Sequence, residues 1–137
     1  MIAYLDASAL LRLVLREPGA VSELRRETLV SSELLAVESL RTVDRLRVQG
    51  ALSVEEAASR RAIVDEWMET IDLVLLQPAI LGRACEPFPT ALRTLDALHL
   101  ATALVWRDRT RQPLVMATHE AALALAARSF GFDVVGA

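Results

Sequence analysis

The sequence predicts an α/β domain in which a mainly parallel sheet of five strands is covered by helices on both faces. Three observations lead there. Short apolar runs alternate along the chain with segments of helical spacing, the pattern of successive βα units. Hydrophobic residues make up 53% and charged residues 24% of the chain, which suits a well-buried globule and argues against disorder. No linker, repeat or low-complexity segment interrupts the 137 residues, so 1–137 read as one domain, large enough to fold without a disulfide or a structural metal.

The first run, Ile2 to Leu5, ends at Asp6-Ala7-Ser8, and Ser8 is expected to cap a helix reaching about Arg16, which Pro18-Gly19 closes. A short helix over about Ala20 to Arg26 leads to a second strand at Thr28 to Ser31. Ser31 or Ser32 then caps a long helix that runs to Gln49 and stops at Gly50. Ser53 and Glu56 have the spacing of a capping box, and Ala57, Val64, Trp67 and Met68 follow at helical intervals, so this helix should pair antiparallel with the one before it. Ile71 to Leu75 reads as the third strand, with a short helix from about Ala79 to Cys85 behind it. Pro87 and Pro89 make 86–90 a loop. Thr94 is expected to cap a nearly all-apolar helix, Leu95 to Arg107, buried on most sides. Leu114 to Ala117 is the fourth strand, Thr118 caps a helix ending at Phe130 before Gly131, and Asp133 to Val135 closes the sheet.

Charge and cysteine content narrow the function. A net charge of -3 argues against a simple electrostatic nucleic-acid binder, although all 15 basic residues are arginines, each a planar fork suited to phosphate. The single cysteine, Cys85, makes no internal disulfide and has no partners for a zinc site; a small core filler is the expected role. The start lacks the basic segment of a signal peptide and Leu98 to Trp106 is too short to cross a bilayer, so a cytoplasmic protein is expected.

Four acids are placed where a strand or helix meets one sheet edge. Asp6 follows the first strand, Asp96 opens the buried helix, Glu120 follows the fourth strand, and Glu38 lies on the long helix, with Arg41 and Arg45 further along its face. Each also has a plain structural reading: Asp6 as a turn cap, Asp96 and Glu120 as partners of a helix dipole, Glu38 as the exposed partner of Arg41. Taken together they suggest a shared site, because four converging carboxylates repel one another unless a cation sits among them. Oxygen ligands without a histidine cluster suit Mg²⁺, with Mn²⁺ as the alternative.

The segments Tyr4-Leu5-Asp6-Ala7-Ser8-Ala9, Val37-Glu38 with Arg41, Leu95 to Ala103 around Asp96, and Ala117-Thr118-His119-Glu120 together resemble a PIN domain, and more narrowly a VapC-type toxin of a type II toxin–antitoxin pair. The resemblance implies a three-layer PIN-like fold with a five-stranded parallel sheet. It implies a Mg²⁺- or Mn²⁺-dependent endoribonuclease held in check by a cognate antitoxin. Carried over by position, Asp6, Asp96 and Glu38 are the metal ligands and catalytic residues, and Ser8 and Thr118 are hydroxyls that orient carboxylates or water. Glu120 departs from the aspartate usual in the family and is carried as a fourth metal residue with three roles open: binding through water, serving a second metal weakly, or none.

Around these acids, Arg12, Arg41 and Arg93 are candidate contacts for RNA phosphate, with solvated charge as the competing reading. His99 is placed either to orient Asp96, to contact RNA or to sit hydrogen-bonded in the core, and His119 either faces the site or lies on the surface. Trp67 and Trp106 read as core or interface, and high apolar content suggests helical surface buried in a homodimer and against the antitoxin. The competing functions are a PIN-like protein-binding module without catalysis and another α/β phosphotransfer domain. For the latter, a phosphatase would want an aspartate where Ser8 stands, and a receiver would want a lysine the chain lacks.

Overall fold

The structure, a computed structural model, describes residues 1–137. All five expected strands form, as β1 (Ile2–Leu5), β2 (Thr28–Ser32), β3 (Ile71–Val74), β4 (Val115–Ala117) and β5 (Asp133–Val135). They make one all-parallel sheet in the order β3-β2-β1-β4-β5. The helices are α1 (Ala7–Val14), α2 (Leu34–Val48), α3 (Val54–Met68), α4 (Pro78–Ala84), α5 (Thr94–Thr110) and α6 (Ala121–Ser129), with a 3₁₀ turn at Ser22–Arg26 where a short helix was expected.

Side-chain alternation along the strands sorts the core into two halves. Ala3 and Leu5 of β1 and Leu29 of β2 pack with Leu10, Leu13 and Val14 of α1, Leu35 of α2, and Val64 and Trp67 of α3. Tyr4 and Val30, the residues between them, point the other way, into a core with Leu100, Ala103 and Leu104 of α5 and Leu123, Ala126 and Ala127 of α6. The result is three layers, helices over both faces of the sheet. The apolar reading of α5 holds, since Leu100, Ala101, Thr102 and Ala103 are all fully buried. Cutting Leu100 back to alanine would cost ~2–5 kcal/mol, the transfer energy plus the cavity.

Several expected caps are made differently. The Ser53–Glu56 capping box forms in full, and Gly50, at φ 79°, ends α2 in the left-handed conformation that glycine adopts without strain. At α1 the N-cap is Asp6, not Ser8: its own carboxylate reaches the Ala9 N–H at 2.9 Å. Neither Thr94 nor Thr118 caps a helix; Arg93 and Glu120 hold those positions without a side-chain capping bond. Ser31 and Ser32 end β2, and only the Ser32 hydroxyl accepts from the start of α2, from Leu34 N–H at 3.1 Å. Cys85, expected inside, is exposed at the end of α4, where the helix terminates before the proline loop. No helix is long and apolar enough to cross a membrane.

Strand order positions the site. From β1 the chain builds outward through β2 to β3, then returns to lay β4 and β5 on the other side, so the order reverses between β1 and β4. Leu5 and Ala117 are register partners across that junction, and the residues that follow them, Asp6 and Thr118, leave the sheet together. Such a crevice at the carboxyl ends of the strands is where open α/β sheets bind ligands.

Candidate active site

Asp6 is the most constrained acid in the chain. It is 2% exposed, and its backbone N–H donates to the Ala117 carbonyl at 3.2 Å, which continues the β1–β4 ladder by one residue. Three donors meet its carboxylate: the Ala9 N–H on Oδ1 at 2.9 Å, the Thr118 hydroxyl on Oδ2 at 2.6 Å, and the Ser8 hydroxyl, 2.7 Å from Oδ1 and 2.9 Å from Oδ2. A carboxylate offers about four acceptor positions, so roughly one remains for a ligand. The donors are held in turn, because the His119 N–H donates to the Ser8 hydroxyl oxygen at 2.9 Å and the Glu120 N–H to that of Thr118 at 3.0 Å. Gly136, at φ 96°, packs against the same turn so closely that a Cβ there would lie 2.6 Å from the Thr118 carbonyl oxygen.

Glu38 enters from α2 and is held by a different partner. Its Oε1 lies 2.6 Å from Nε2 of His99 on α5, which binds the two helical layers together over the sheet's carboxyl edge. The ring's other nitrogen, Nδ1, lies 2.7 Å from the Tyr4 hydroxyl. Of the roles open to His99, the structure selects the hydrogen-bonded core residue, and its partner is Glu38 rather than Asp96.

Asp96 stands in the first turn of α5, as expected, and Glu120 is exposed at the start of α6. Asp6, Glu38, Asp96 and Glu120 line one recess of about 260 Å³, together with Ser8, Arg45 and His99. Glu38, Asp96 and Glu120 also line the adjoining hollow of about 650 Å³, where Arg93 and Thr94 join them. The carboxyl group of Asp96 is pushed above the ordinary range, first by its partial burial and then by the charges of Asp6, Glu120 and Glu38, against a smaller opposing influence from His99. Mutual repulsion among the acids is therefore a property of the fold.

A donor set of four carboxylates with no cysteine or exposed histidine among them fits a hard divalent cation. As the side chains stand, no three of the histidine, cysteine, aspartate and glutamate residues are close enough together to enclose an ion. Of the four acids, Asp6 and Glu38 are fixed by hydrogen bonds.

The arginines divide. Arg93 lines the larger hollow, whereas Arg12 donates to the Pro18 carbonyl at 3.0 Å and faces Glu17 on the exposed end of α1. Arg41 is paired with Asp44 and lines a separate depression with Arg61. It does not pair with Glu38. Arg45, one helical turn beyond Arg41, lines the acidic recess, and its guanidinium meets only the Thr42 hydroxyl, at 3.4 Å. Sequence reasoning placed Arg45 on the right face without singling it out. It missed Gly136 and the Tyr4–His99–Glu38 chain, whose residues are separated by 95 and 61 positions and share no local pattern.

Comparison with known proteins agrees with this architecture. A model of the PIN domain family matches residues 3–109, a span that includes Asp6, Glu38 and Asp96 and stops short of Glu120. Ribonuclease VapC46 of Mycobacterium tuberculosis (strain H37Rv) is 34% identical over 104 residues, covering 73% of this chain and 72% of its own. Ribonuclease VapC47 of Mycobacterium tuberculosis (strain CDC 1551) is 30% identical over 132 residues, 94% of this chain and 92% of that one. With a family model matched across most of its length and a parallel three-layer fold, the chain belongs to the PIN domain family.

Proposed function

We propose that the protein is a divalent-metal-dependent endoribonuclease, the toxin of a toxin–antitoxin pair, which hydrolyses RNA phosphodiester bonds. The observation that carries this reading is the recess at the β1–β4 junction, lined by four acidic residues from four different segments. Two relatives named as ribonucleases support the reaction class.

Asp6, Glu38 and Asp96 would hold Mg²⁺ or Mn²⁺, with Glu120 as a weaker fourth. A cation there supplies Lewis acidity, lowering the pKa of a bound water and polarising the phosphodiester. The protein's own part is orientation. Ser8 and Thr118 hold the Asp6 carboxylate with one acceptor position open. Arg45 and Arg93 flank the acids and are the guanidinium groups best placed for RNA phosphate, ahead of Arg12 and Arg41. Both oxygens of Asp6 are engaged by neutral donors, which suits a ligand and disfavours the nucleophile of an aspartyl-phosphate enzyme.

In this reading the exposed apolar residues Leu73, Leu75 and Leu81 belong to surfaces covered by a second copy and by the antitoxin of a cytoplasmic pair. The test is cleavage of structured RNAs by purified protein freed of antitoxin. We expect cleavage that needs Mg²⁺ or Mn²⁺, stops with EDTA and is lost in Asp6→Asn. Cleavage that persists in that variant or ignores EDTA would contradict the mechanism. Cation binding without cleavage of any RNA would favour a binding module, the reading to which the open spacing of the acids lends weight.

A further inference from the structure

The apolar helix α5 carries a histidine in its second turn, and His99 is only 1% exposed. Both ring nitrogens are used. A carboxylate can only accept, so Nε2 donates to Glu38, and Nδ1 meets the Tyr4 hydroxyl at 2.7 Å. Tyr4 has no exposure at all, and its hydroxyl is partnered by His99. A position that served packing alone would hold an apolar residue, since a buried polar chain stabilises only when each member is matched. Each member of this chain has a partner, and its more exposed end is Glu38, which lines both parts of the cleft.

We propose that Tyr4 and His99 are positioning residues, a buried strut that pins one oxygen of Glu38 on the imidazole and leaves the other turned to the cation site. The inference rests on the cation site proposed above. A glutamate on a helix has several rotatable torsions and loses freedom when it binds an ion; pinning Oε1 in advance removes part of that cost. Strand β1 then serves two ligands at once, Asp6 directly from its end and Glu38 through Tyr4, whose side chain alternation turns toward α5. Were His99 instead to hold Glu38 back from the cation, its removal would tighten binding. The two give opposite signs in one experiment.

Mn²⁺ affinity is measured calorimetrically on the whole chain, without RNA, for wild type, Tyr4→Phe, His99→Leu, His99→Gln, Glu38→Ala and Asp6→Asn, and for Tyr4→Phe and His99→Leu each combined with Glu38→Ala. We expect His99→Leu to weaken binding ~10–100-fold and Tyr4→Phe by up to ~10-fold, the range seen when the neighbours of a metal ligand are lost. His99→Gln, which keeps a donor for Glu38, should recover part of the loss. Both effects should disappear in the Glu38→Ala background, which a general loosening of the core would not produce. Tyr4→Phe keeps the ring in place and carries the test should His99→Leu fail to fold. Unchanged affinity in Tyr4→Phe and His99→Leu beside a loss in Asp6→Asn overturns the strut alone. Tighter binding in either variant also overturns it, because His99 would then be withholding Glu38. Wild-type affinity in Asp6→Asn overturns the cation site and the strut with it.

Discussion

Across the acidic recess, the wall formed by Asp6 and Glu38 and the rim formed by Asp96 and Glu120 carry the same charge and are built in opposite ways. Asp6 takes bonds from Ala9, Ser8 and Thr118, and Glu38 is tied to His99. The rim has no such support: burial and neighbouring charges are what act on Asp96, and Glu120 is exposed with no capping bond from its side chain. The wall is thus fixed by the fold, while at the rim Asp96 faces like charges that His99 offsets only in part. On the proposed reading, half of the site's geometry is set before a cation arrives, and the repulsion at Asp96 is relieved when it does.

The largest effect should come from breaking the wall at its centre. Asn is as good an N-cap as Asp, so Asp6→Asn should keep α1 and the fold while removing the charge. RNA cleavage should fall by at least ~100-fold, more than the loss of an orienting neighbour costs, with the Tm lowered no further than by Thr118→Val, which loses the same hydrogen bond. A large drop in Tm would show that the charge itself is structural.

Asp96→Asn sharpens the comparison, because the rim should respond in the other direction. Cleavage should again be lost, yet the metal-free protein should become more stable at pH 7, since a repelled carboxylate is gone. The sign follows from linkage: with the folded-state pKa raised, the penalty is absent below the unfolded value, sets in as pH rises and is complete above the folded value. Thermal melts in EDTA should therefore show the variant's advantage at neutral pH and its disappearance near pH ~4, the ordinary range of an aspartate.

Smaller effects separate support from ligation. Thr118→Val removes the 2.6 Å bond to Asp6 and should cost ~10–100-fold in cleavage, along with ~1.5–3 kcal/mol of stability measured by urea titration, as expected for a hydrogen bond to a buried charge. If stability falls and cleavage does not, the hydroxyl serves the fold alone. Glu120→Gln should have the least effect, a few-fold in cleavage. A loss as large as that of Asp6→Asn would move Glu120 from the rim to the wall.

The sequence made the wall's acids legible and hid what holds them. Strands buried on both faces announce themselves as apolar runs, and the Ser53–Glu56 box and Gly50 are local signals that need no tertiary context. Two of the three supposed caps went astray for one reason. A hydroxyl near a helix start satisfies a capping pattern, but Ser8 and Thr118 give their protons to the buried Asp6 carboxylate, and their oxygens accept from the His119 and Glu120 N–H groups, outside the helices they were expected to cap. Asp6 then caps α1 itself. Arg41 was nearer to Glu38 in sequence than Arg45, yet Asp44, three residues on, captures it and leaves Arg45 to the recess. The His99–Glu38 bond joins α5 to α2, so only the packed fold could reveal it.

The central claim is that one divalent cation is shared by the wall and the rim. Anomalous diffraction from crystals soaked in Mn²⁺ tests it most directly. The account predicts a manganese peak in the recess, in contact with the carboxylates of Asp6, Glu38 and Asp96, with the Asp96 side chain drawn toward it and Glu38 still bonded to His99. An empty recess at a Mn²⁺ concentration that supports RNA cleavage, or a peak bound elsewhere on the molecule, would contradict it.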